Sequence, residues 1–227
     1  MKLKMNTYLL GIVLLTGLFL FTHIASCTHD DTVPPSGGGG GGNITRGTDH
    51  VSFDEGATFD KVHSSVNWTT PYLGAVGVLT GKFNNFKFNT FSFKEDDPDN
   101  IFFEAQVYLN TVNTGEPGRD GGCLLSTLGT AAGATEEATN LAIIKSKKVE
   151  FSTTDKGYIV TADFTFHGVT KEVTAKLDYI GKTSIGTDTY EYGLQLEFSI
   201  LAISDFGIES TSIADNVDIK CAANIKQ

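Results

Sequence analysis

Apolar residues recur at every second position over residues 158–166 and again over residues 173–179. A period of two predicts β-strands that turn one side to a core and the other side to solvent. His167 and Gly168 lie between the two strands, and glycine supplies the backbone freedom that a tight turn needs. The stretch therefore predicts an antiparallel hairpin that is covered on one face. Its apolar positions are Tyr158, Val160, Ala162, Phe164, Phe166, Val173, Ala175, Leu177 and Tyr179.

Further strands are predicted by the same alternation in residues 101–112, 190–200 and 217–225. A phenylalanine-rich stretch departs from it in one place. Phe86 and Phe88 share one face of a strand, whereas Phe91 and Phe93 keep the period but are out of phase with the first pair. A bulge or turn near Asn89 would bring all four rings to one side. The pattern as a whole predicts an all-β, antiparallel protein.

The length and the net charge of the chain narrow the functions that this protein could have. A chain of 227 residues, 40% of them hydrophobic, can bury one full core, and all-β barrels often reach this size as single domains. The 17 basic and 27 acidic residues give a net charge of −10. Nucleic acids and anionic membrane surfaces need clustered Lys and Arg, so neither is an expected electrostatic partner.

The N-terminus has the features of a bacterial lipoprotein signal. Lys2 and Lys4 form a basic region, and the apolar run over residues 8–21 is somewhat short for a membrane span, which needs roughly 20 residues. The run is followed by Ile-Ala-Ser and Cys27, which resembles a lipobox. We therefore predict a signal peptide over residues 1–26 and a lipid anchor on Cys27, with a transmembrane anchor as the alternative.

Residues 27–48 are predicted to be a lipid-anchored, glycine-rich tether, because two prolines and six consecutive glycines cannot bury surface. The folded domain is expected over residues 49–227. Thr28 follows the anchor residue, so the chain lacks the Asp that keeps enteric lipoproteins in the inner membrane. The acidic pair Asp30-Asp31 either resembles a surface-export signal or is a solvated linker. The expected location is the bacterial cell envelope, anchored to the outer membrane on its periplasmic or cell-surface face.

A family resemblance is carried by residues 164–173, which read Phe-Thr-Phe-His-Gly-Val-Thr-Lys-Glu-Val. This segment resembles a hairpin of the YceI-like family, whose bacterial members bind lipids and polyisoprenoids in a lipocalin-like barrel. Residues 59–68, 113–120 and 205–219 resemble other parts of the family. The resemblance implies a single antiparallel lipocalin-like β-barrel of about eight strands over residues 49–227.

The chain departs from the family pattern in three places. Tyr72 stands where many members have a His, and the segment from Gly121 to Leu124 lacks a second His. Residues 127–142 are rich in Ala, Thr and Gly, where members usually have aromatic residues. We predict a short helix near residues 130–142.

Residues for catalysis or metal binding are not evident, so we predict neither an enzyme, nor a cofactor, nor a metal site. The sequence contains no nucleophile elbow, Cys-His signature or phosphate-binding glycine loop. His63 and His167 are too few for a zinc site and are expected to bind backbone groups at strand ends. Cys123 and Cys221 could form a disulfide in an oxidising compartment, and Cys221 would equally suit a buried thiol.

The expected function is binding. We predict a carrier that holds an isoprenoid, quinone or other lipid in an apolar barrel, with Arg119 either facing an anionic headgroup or pinning the 113–124 loop. The alternative is a lipid-anchored scaffold whose barrel is filled by its own side chains and which acts through its loops; a protein partner is not identifiable. The predicted cavity lining consists of Trp68, Phe88, Phe103, Phe164, Phe166, Leu196 and Phe198.

Overall fold

Twelve β-strands form one antiparallel sheet in the computed structural model, which describes residues 46–227. The predicted signal peptide, the Cys27 anchor and nearly all of the tether lie outside the described residues. The strands are β1 (His50–Ser52), β2 (Thr58–Phe59), β3 (Ser65–Tyr72), β4 (Gly77–Phe83), β5 (Phe86–Lys94), β6 (Phe102–Tyr108), β7 (Val112–Asn113), β8 (Leu141–Ser152), β9 (Gly157–Phe166), β10 (Val169–Gly186), β11 (Thr189–Leu201) and β12 (Asn216–Lys226).

The sheet curls into a barrel because bent strands carry the pairing around a ring. Strand β12 pairs with β3, β3 pairs with β4, and β4 pairs with β7, which continues the chain from β6. Two backbone hydrogen bonds of 3.0 Å, Asn84 N to Thr111 O and Tyr108 N to Asn85 O, carry the pairing through the bend. With β1–β3, β4–β5 and β6–β7 each counted as one bent strand, the twelve strands occupy eight positions, and the predicted antiparallel barrel is confirmed.

The two ends of the barrel differ in what covers them. We call the upper end the one with the β3–β4 and β9–β10 turns and the loop over residues 202–215. The lower end holds the β8–β9 and β10–β11 turns and the N-terminal strands β1 and β2. Within residues 46–227, no helix is long and apolar enough to cross a bilayer.

The predicted hairpin is formed by β9 and β10. Phe166 pairs with Val169 across a two-residue turn, in which His167 and Gly168 have φ of 52° and 75°. Positive φ at both positions is what a type I′ turn requires. All five predicted apolar positions of β9 are buried, as are Ala175 and Leu177 of β10. The period of two therefore predicted the faces of this hairpin correctly.

The predicted bulge is present in β5. The pairing of β5 with β6 shifts register between Phe88 and Thr90, and Asn89 is the extra residue. Its side-chain amide donates hydrogen bonds to Glu104 and Gln106 on β6, at 2.9 and 3.0 Å. Because of this shift, Phe86, Phe91 and Phe93 are all buried.

The predicted short helix is misplaced. The only helical element within residues 130–142 is the 3-10 turn Ala138–Asn140, whereas the helical segment lies earlier, over residues 117–127. Leu125 of this segment packs with Trp68, Leu79 and Val112. The segment consists of α1 (Pro117–Arg119), a π-helical turn (Asp120–Leu124) and α2 (Leu125–Thr127). The remaining 3-10 turns are Phe53–Glu55, Lys61–His63, Pro98–Asn100 and Leu109–Thr111.

The physical reason for this difference lies in packing. Helical turns this short are stable only when an apolar face packs against the protein. Leu124, Leu125 and Leu128 provide such a face, and residues 130–142 do not. That loop is built instead around the fully buried Asn140, whose Oδ1 accepts hydrogen bonds from Asn110 N and Thr130 Oγ1.

Candidate functional site

The barrel encloses a cavity of about 340 Å³. Strands from every part of the ring contribute side chains to it, and most of them are aromatic or aliphatic. The seven residues predicted to line a cavity all face it, and their contact with a ligand stays a prediction. They are Trp68, Phe88, Phe103, Phe164, Phe166, Leu196 and Phe198.

At the lower end, aromatic rings close the barrel. The ring of Phe88 lies 6.0 Å from Phe53, 5.1 Å from Phe59 and 5.3 Å from Phe91 between centroids, all edge to face. This geometry suits the quadrupoles of the rings. Phe88 therefore forms part of the packed core as well as the cavity wall.

Hydrogen bonds of two tyrosines fix the chain at the same end, one at Asp49 before β1 and one at Glu95 after β5. Tyr179 donates to Asp49 Oδ2 at 2.6 Å, and Tyr158 donates to the carbonyl of Glu95 at 2.5 Å. Burial raises the pKa of Tyr158 to about 12. Burial and the hydrogen bond to Asp49 also raise the pKa of Tyr179, so both hydroxyls stay protonated and donate at physiological pH.

At the upper end, a second aromatic group packs over the cavity. Phe164 lies 5.4 Å from Phe198 and 5.6 Å from Phe206, and Phe166 also contacts Phe206 at 5.6 Å. His167 fixes this group, because its Nδ1 lies 3.1 Å from the carbonyl oxygen of Phe206. His167 thus binds a backbone group at a strand end, as predicted, whereas the same prediction is wrong for His63, whose ring binds the side chain of Asp60.

Trp68 sits on β3 opposite Gly81 of β4. A Cβ added at Gly81 would lie 2.5 Å from Cζ2 of Trp68 and 3.0 Å from Cγ2 of Thr114. The indole therefore occupies the space that the side chain of any residue other than glycine at position 81 would need. Among the described residues, its Nε1 is buried without a hydrogen-bond partner.

The cavity reaches the surface at the upper end. Tyr72 and Cys123 are both exposed and both line the cavity. Ser210, Ser212 and Ile213 of the 202–215 loop also contribute to this rim. The rim is thus more polar than the interior, as expected where an amphiphile would present its headgroup.

Arg119 also lines the cavity, and its guanidinium is held by the chain itself. Nε donates to Thr114 Oγ1 at 2.8 Å and Nη2 donates to Thr114 O at 3.4 Å. Asp120 receives the hydroxyl and the backbone N–H of Thr114, at 2.5 and 3.0 Å. Arg119 therefore pins the 113–124 loop, as one of the two alternatives drawn from the sequence predicted, and its contact with a headgroup stays a prediction.

Cys123 and Cys221 line the same cavity, and both are free thiols in the structure. The disulfide that the sequence left open is therefore not formed here. Burial raises the pKa of the Cys221 thiol to about 12, so this thiol stays protonated. Cys123 is exposed near the rim.

A cluster of polar groups at the lower end was missed by sequence reasoning. Ligand atoms of Asp60, His63 and Glu191 lie within 4.8 Å of one another. The Lys226 ammonium and His63 Nδ1 both bind Asp60 Oδ2 and hold the pKa of this carboxyl well below its usual range. Asn224 donates to Glu191 at 3.0 Å. The ammonium of Lys226 already supplies the positive charge that a metal ion would bring to this cluster. The arrangement is therefore that of a structural ion-pair network.

Other cavity residues were also missed. Tyr72 follows Trp68 and Thr70 at the strand period, so the alternation could have placed it on the inner face. Ser210, Ser212 and Leu124 lie in a loop and a helical turn without strand periodicity, so no pattern in the sequence indicated them.

Comparison with known proteins identifies the family of this barrel. A family model described as the YceI-like domain matches residues 58–225. The chain belongs to the YceI-like family. A UPF0312 protein of Vibrio parahaemolyticus is 29% identical over 184 residues, which cover 77% of this chain and 85% of that protein. A UPF0312 protein of Serratia proteamaculans is 25% identical over 169 residues, 72% of this chain and 80% of that protein.

Solved structures resemble the YceI-like barrel at the level of the fold. The structure of BcnA from Burkholderia cenocepacia superposes with a TM-score of 0.51 at 17% identity, covering 74% of this chain and 99% of BcnA. A polyisoprenoid binding domain from Saccharophagus degradans gives a TM-score of 0.50 at 17% identity, covering 74% of this chain and 97% of that domain. These findings confirm the family resemblance drawn from residues 164–173.

Proposed function

We propose that this YceI-like protein is a non-catalytic carrier that holds an elongated apolar amphiphile, such as an isoprenoid, a quinone or another lipid, inside its barrel. The observation that carries the proposal is the apolar cavity of about 340 Å³. Cavities that hold drug-sized ligands measure roughly 300–1,000 Å³ and are mostly apolar with a few polar groups. The fold shared with a domain described as polyisoprenoid binding supports the same ligand class.

The binding energy would come from burial of hydrocarbon. Each buried CH₂ contributes about 0.8 kcal/mol, and association costs roughly 4–15 kcal/mol. About ten buried carbons would contribute roughly 8 kcal/mol and would offset only the lower half of that cost. A long chain is therefore favoured over a short one. Trp68, Phe88, Phe103, Phe164, Phe166, Leu196 and Phe198 are the proposed contacts.

Arg119 is the proposed headgroup contact. It lies on the cavity wall in a segment that also supplies the exposed Cys123 to the rim. Thr114 holds its Nε, which fixes the direction of the guanidinium plane. A planar guanidinium binds carboxylate or phosphate oxygens in pairs, so an acidic headgroup would be preferred over a neutral one.

The proposed location is the bacterial outer membrane, through a lipid anchor on Cys27. The basic start, the apolar run and the lipobox-like residues before Cys27 support this proposal. A diacylglyceryl group plus an N-acyl chain would exceed the two signals needed for stable anchoring. The carrier would then remain next to the bilayer that supplies its ligand.

The test is native mass spectrometry of the full chain from a bacterial host, followed by organic extraction of bound molecules. We expect a stoichiometric isoprenoid, quinone or fatty amphiphile. Ala223→Phe places a ring in the cavity and should lower the amount of long-chain ligand that co-purifies, whereas Lys220→Phe on the outer face of the same strand should leave that amount unchanged. An unliganded mass that takes up neither added quinone nor added polyprenol would overturn the proposal. It would favour the alternative, a scaffold that acts through its loops.

A further inference from the structure

The β3–β4 turn exposes an unusually apolar surface. We call residues 72–78 the hairpin tip. Val76 is 86% exposed, Val78 68% and Leu73 53%. Residues 64–81 contain no Asp, Glu, Lys or Arg. By contrast, the turns at 153–156, 187–188 and 95–101 each carry charged residues.

The hairpin tip is held in place beside the cavity rim. Leu73 N donates to Ser212 O at 2.8 Å, and Ala214 N donates to Pro71 O at 2.9 Å. Tyr72 forms a β-bridge with Ile213, and both residues line the cavity. The tip therefore extends outward from the point where the cavity reaches the surface.

The backbone of the tip adds a second indication. Leu73 and Ala75 have φ of 48° and 71°, in the left-handed region that glycine, asparagine and aspartate occupy most readily. Polar turn residues would relieve this strain and would suit water. Backbone strain of this kind is concentrated at functional sites. The apolar side chains at these positions indicate a surface that meets an apolar medium.

We propose that the hairpin tip inserts into the surface of a neutral lipid bilayer and turns the cavity rim toward it. The inference goes beyond ligand binding, because an empty barrel would dock in the same way. Leu73, Val76 and Val78 enter the acyl boundary, and Tyr72 lies at headgroup level, where aromatic residues are enriched. The net charge of −10 disfavours an anionic leaflet.

The size of the surface favours a bilayer over a protein. A standard protein interface uses roughly 20–30 residues a side, whereas the hairpin tip offers four large apolar side chains. A bilayer needs no matching surface, so a few inserted side chains are sufficient for interfacial binding.

The length of the N-terminal chain is compatible with this orientation. The described chain begins at the lower end, whereas the tip lies at the upper end. Residues 27–46 can span at most about 65 Å when extended. Ten to thirteen residues of tilted strand make a barrel roughly 30 Å tall. An anchor on Cys27 would therefore let the upper end reach the same bilayer.

The experiment uses tryptophan as a depth probe in the full chain, reconstituted into phosphatidylcholine vesicles with brominated acyl chains. Val76→Trp reports on the tip. Val62→Trp is the matched control, because Val62 is also 86% exposed but lies at the lower end. Both proteins also carry Trp68→Phe, because Trp68 lines the cavity and a brominated chain bound there would quench it. Each probe is then the single tryptophan of its protein.

We expect the bromines to quench the tryptophan of Val76→Trp, with a blue shift, and to leave that of Val62→Trp unquenched. Adding Leu73→Asp to Val76→Trp should lower the ratio of inserted to free tips roughly tenfold or more. Equal quenching of both probes, or of neither, would overturn the proposal. So would a blue shift without vesicles that grows with protein concentration, since it would show that a second copy covers the tip.

Discussion

The indole of Trp68 occupies the space that a side chain at Gly81 would need. Gly81→Ala should therefore destabilise the fold by about 1–3 kcal/mol, because a buried ring must move to accommodate the methyl group. Gly77→Ala on the same strand is the control, since its Cβ would meet only Tyr72, at 3.8 Å. Denaturant unfolding of the two variants measures the difference. Equal free energies of unfolding would contradict the close contact between Gly81 and Trp68.

The ionisation of Asp60 is expected to make the stability of the fold depend on pH in the acid range. Its folded-state pKa is held below the usual value, first by Lys226 and then by His63. The carboxylate therefore stabilises the fold above about pH 4, and this contribution is lost as the pH falls further, through the folded-state pKa.

Asp60→Asn should lower the melting temperature at pH 7 and flatten its decline below about pH 4. Lys226→Met should make that decline smaller and end it at a higher pH, because the carboxyl loses the partner that contributes most to its low folded-state pKa. Thermal melts between pH 7 and pH 2 test both expectations. If the melting temperature of Asp60→Asn falls below pH 4 as steeply as that of the wild type, carboxyl groups other than Asp60 cause the loss of stability in acid.

At the scale of secondary structure elements, the bulge at Asn89 keeps the phenylalanines of β5 on the inner face. Deleting Asn89 would shift Phe91 and Phe93 by one position and turn them outward, because successive residues of a strand face opposite sides. We expect the deletion to abolish folding, as seen by loss of the cooperative unfolding transition. Deleting Gly133, which is exposed in the 128–140 loop, should be tolerated.

The same element illustrates why strands were predictable here. Alternation is a local property, and Phe86, Phe88, Phe91 and Phe93 reveal both the strand and its bulge because each ring must reach the core. Residues 117–127 give no comparable signal. Gly121 and Gly122 disfavour a helix, and its turns form because leucines pack against Trp68 and Ile213, which are distant in sequence.

The candidate site contains residues that the local sequence predicts and residues that only the tertiary structure brings together. The inward positions Phe164, Leu196 and Phe198 follow from the strand period, so their position at the cavity could be predicted. Glu191 and Lys226 come together only through the register of β11 with β12. The polar network around Asp60 therefore could not be read from the local sequence.

At the scale of the whole molecule, closure of the ring is what makes a cavity. The lower end is packed with aromatic rings, and the helical segment and the 202–215 loop leave access to the cavity at the upper end. A tunnel closed at one end would accept a chain up to the length that fills it. The volume of about 340 Å³ therefore limits the length of the ligand.

This limit predicts how affinity varies with chain length in a series of amphiphiles that share one headgroup. The dissociation constant should fall about fourfold for each added CH₂, from roughly 0.8 kcal/mol of burial, until the cavity is full. Beyond that length it should stay constant, because further carbons remain in water. Titration by intrinsic fluorescence or calorimetry measures the series. Ala223→Phe should move the plateau to shorter chains, since its ring takes up part of the cavity. An affinity that keeps rising with length in both proteins would instead indicate binding along the outer surface.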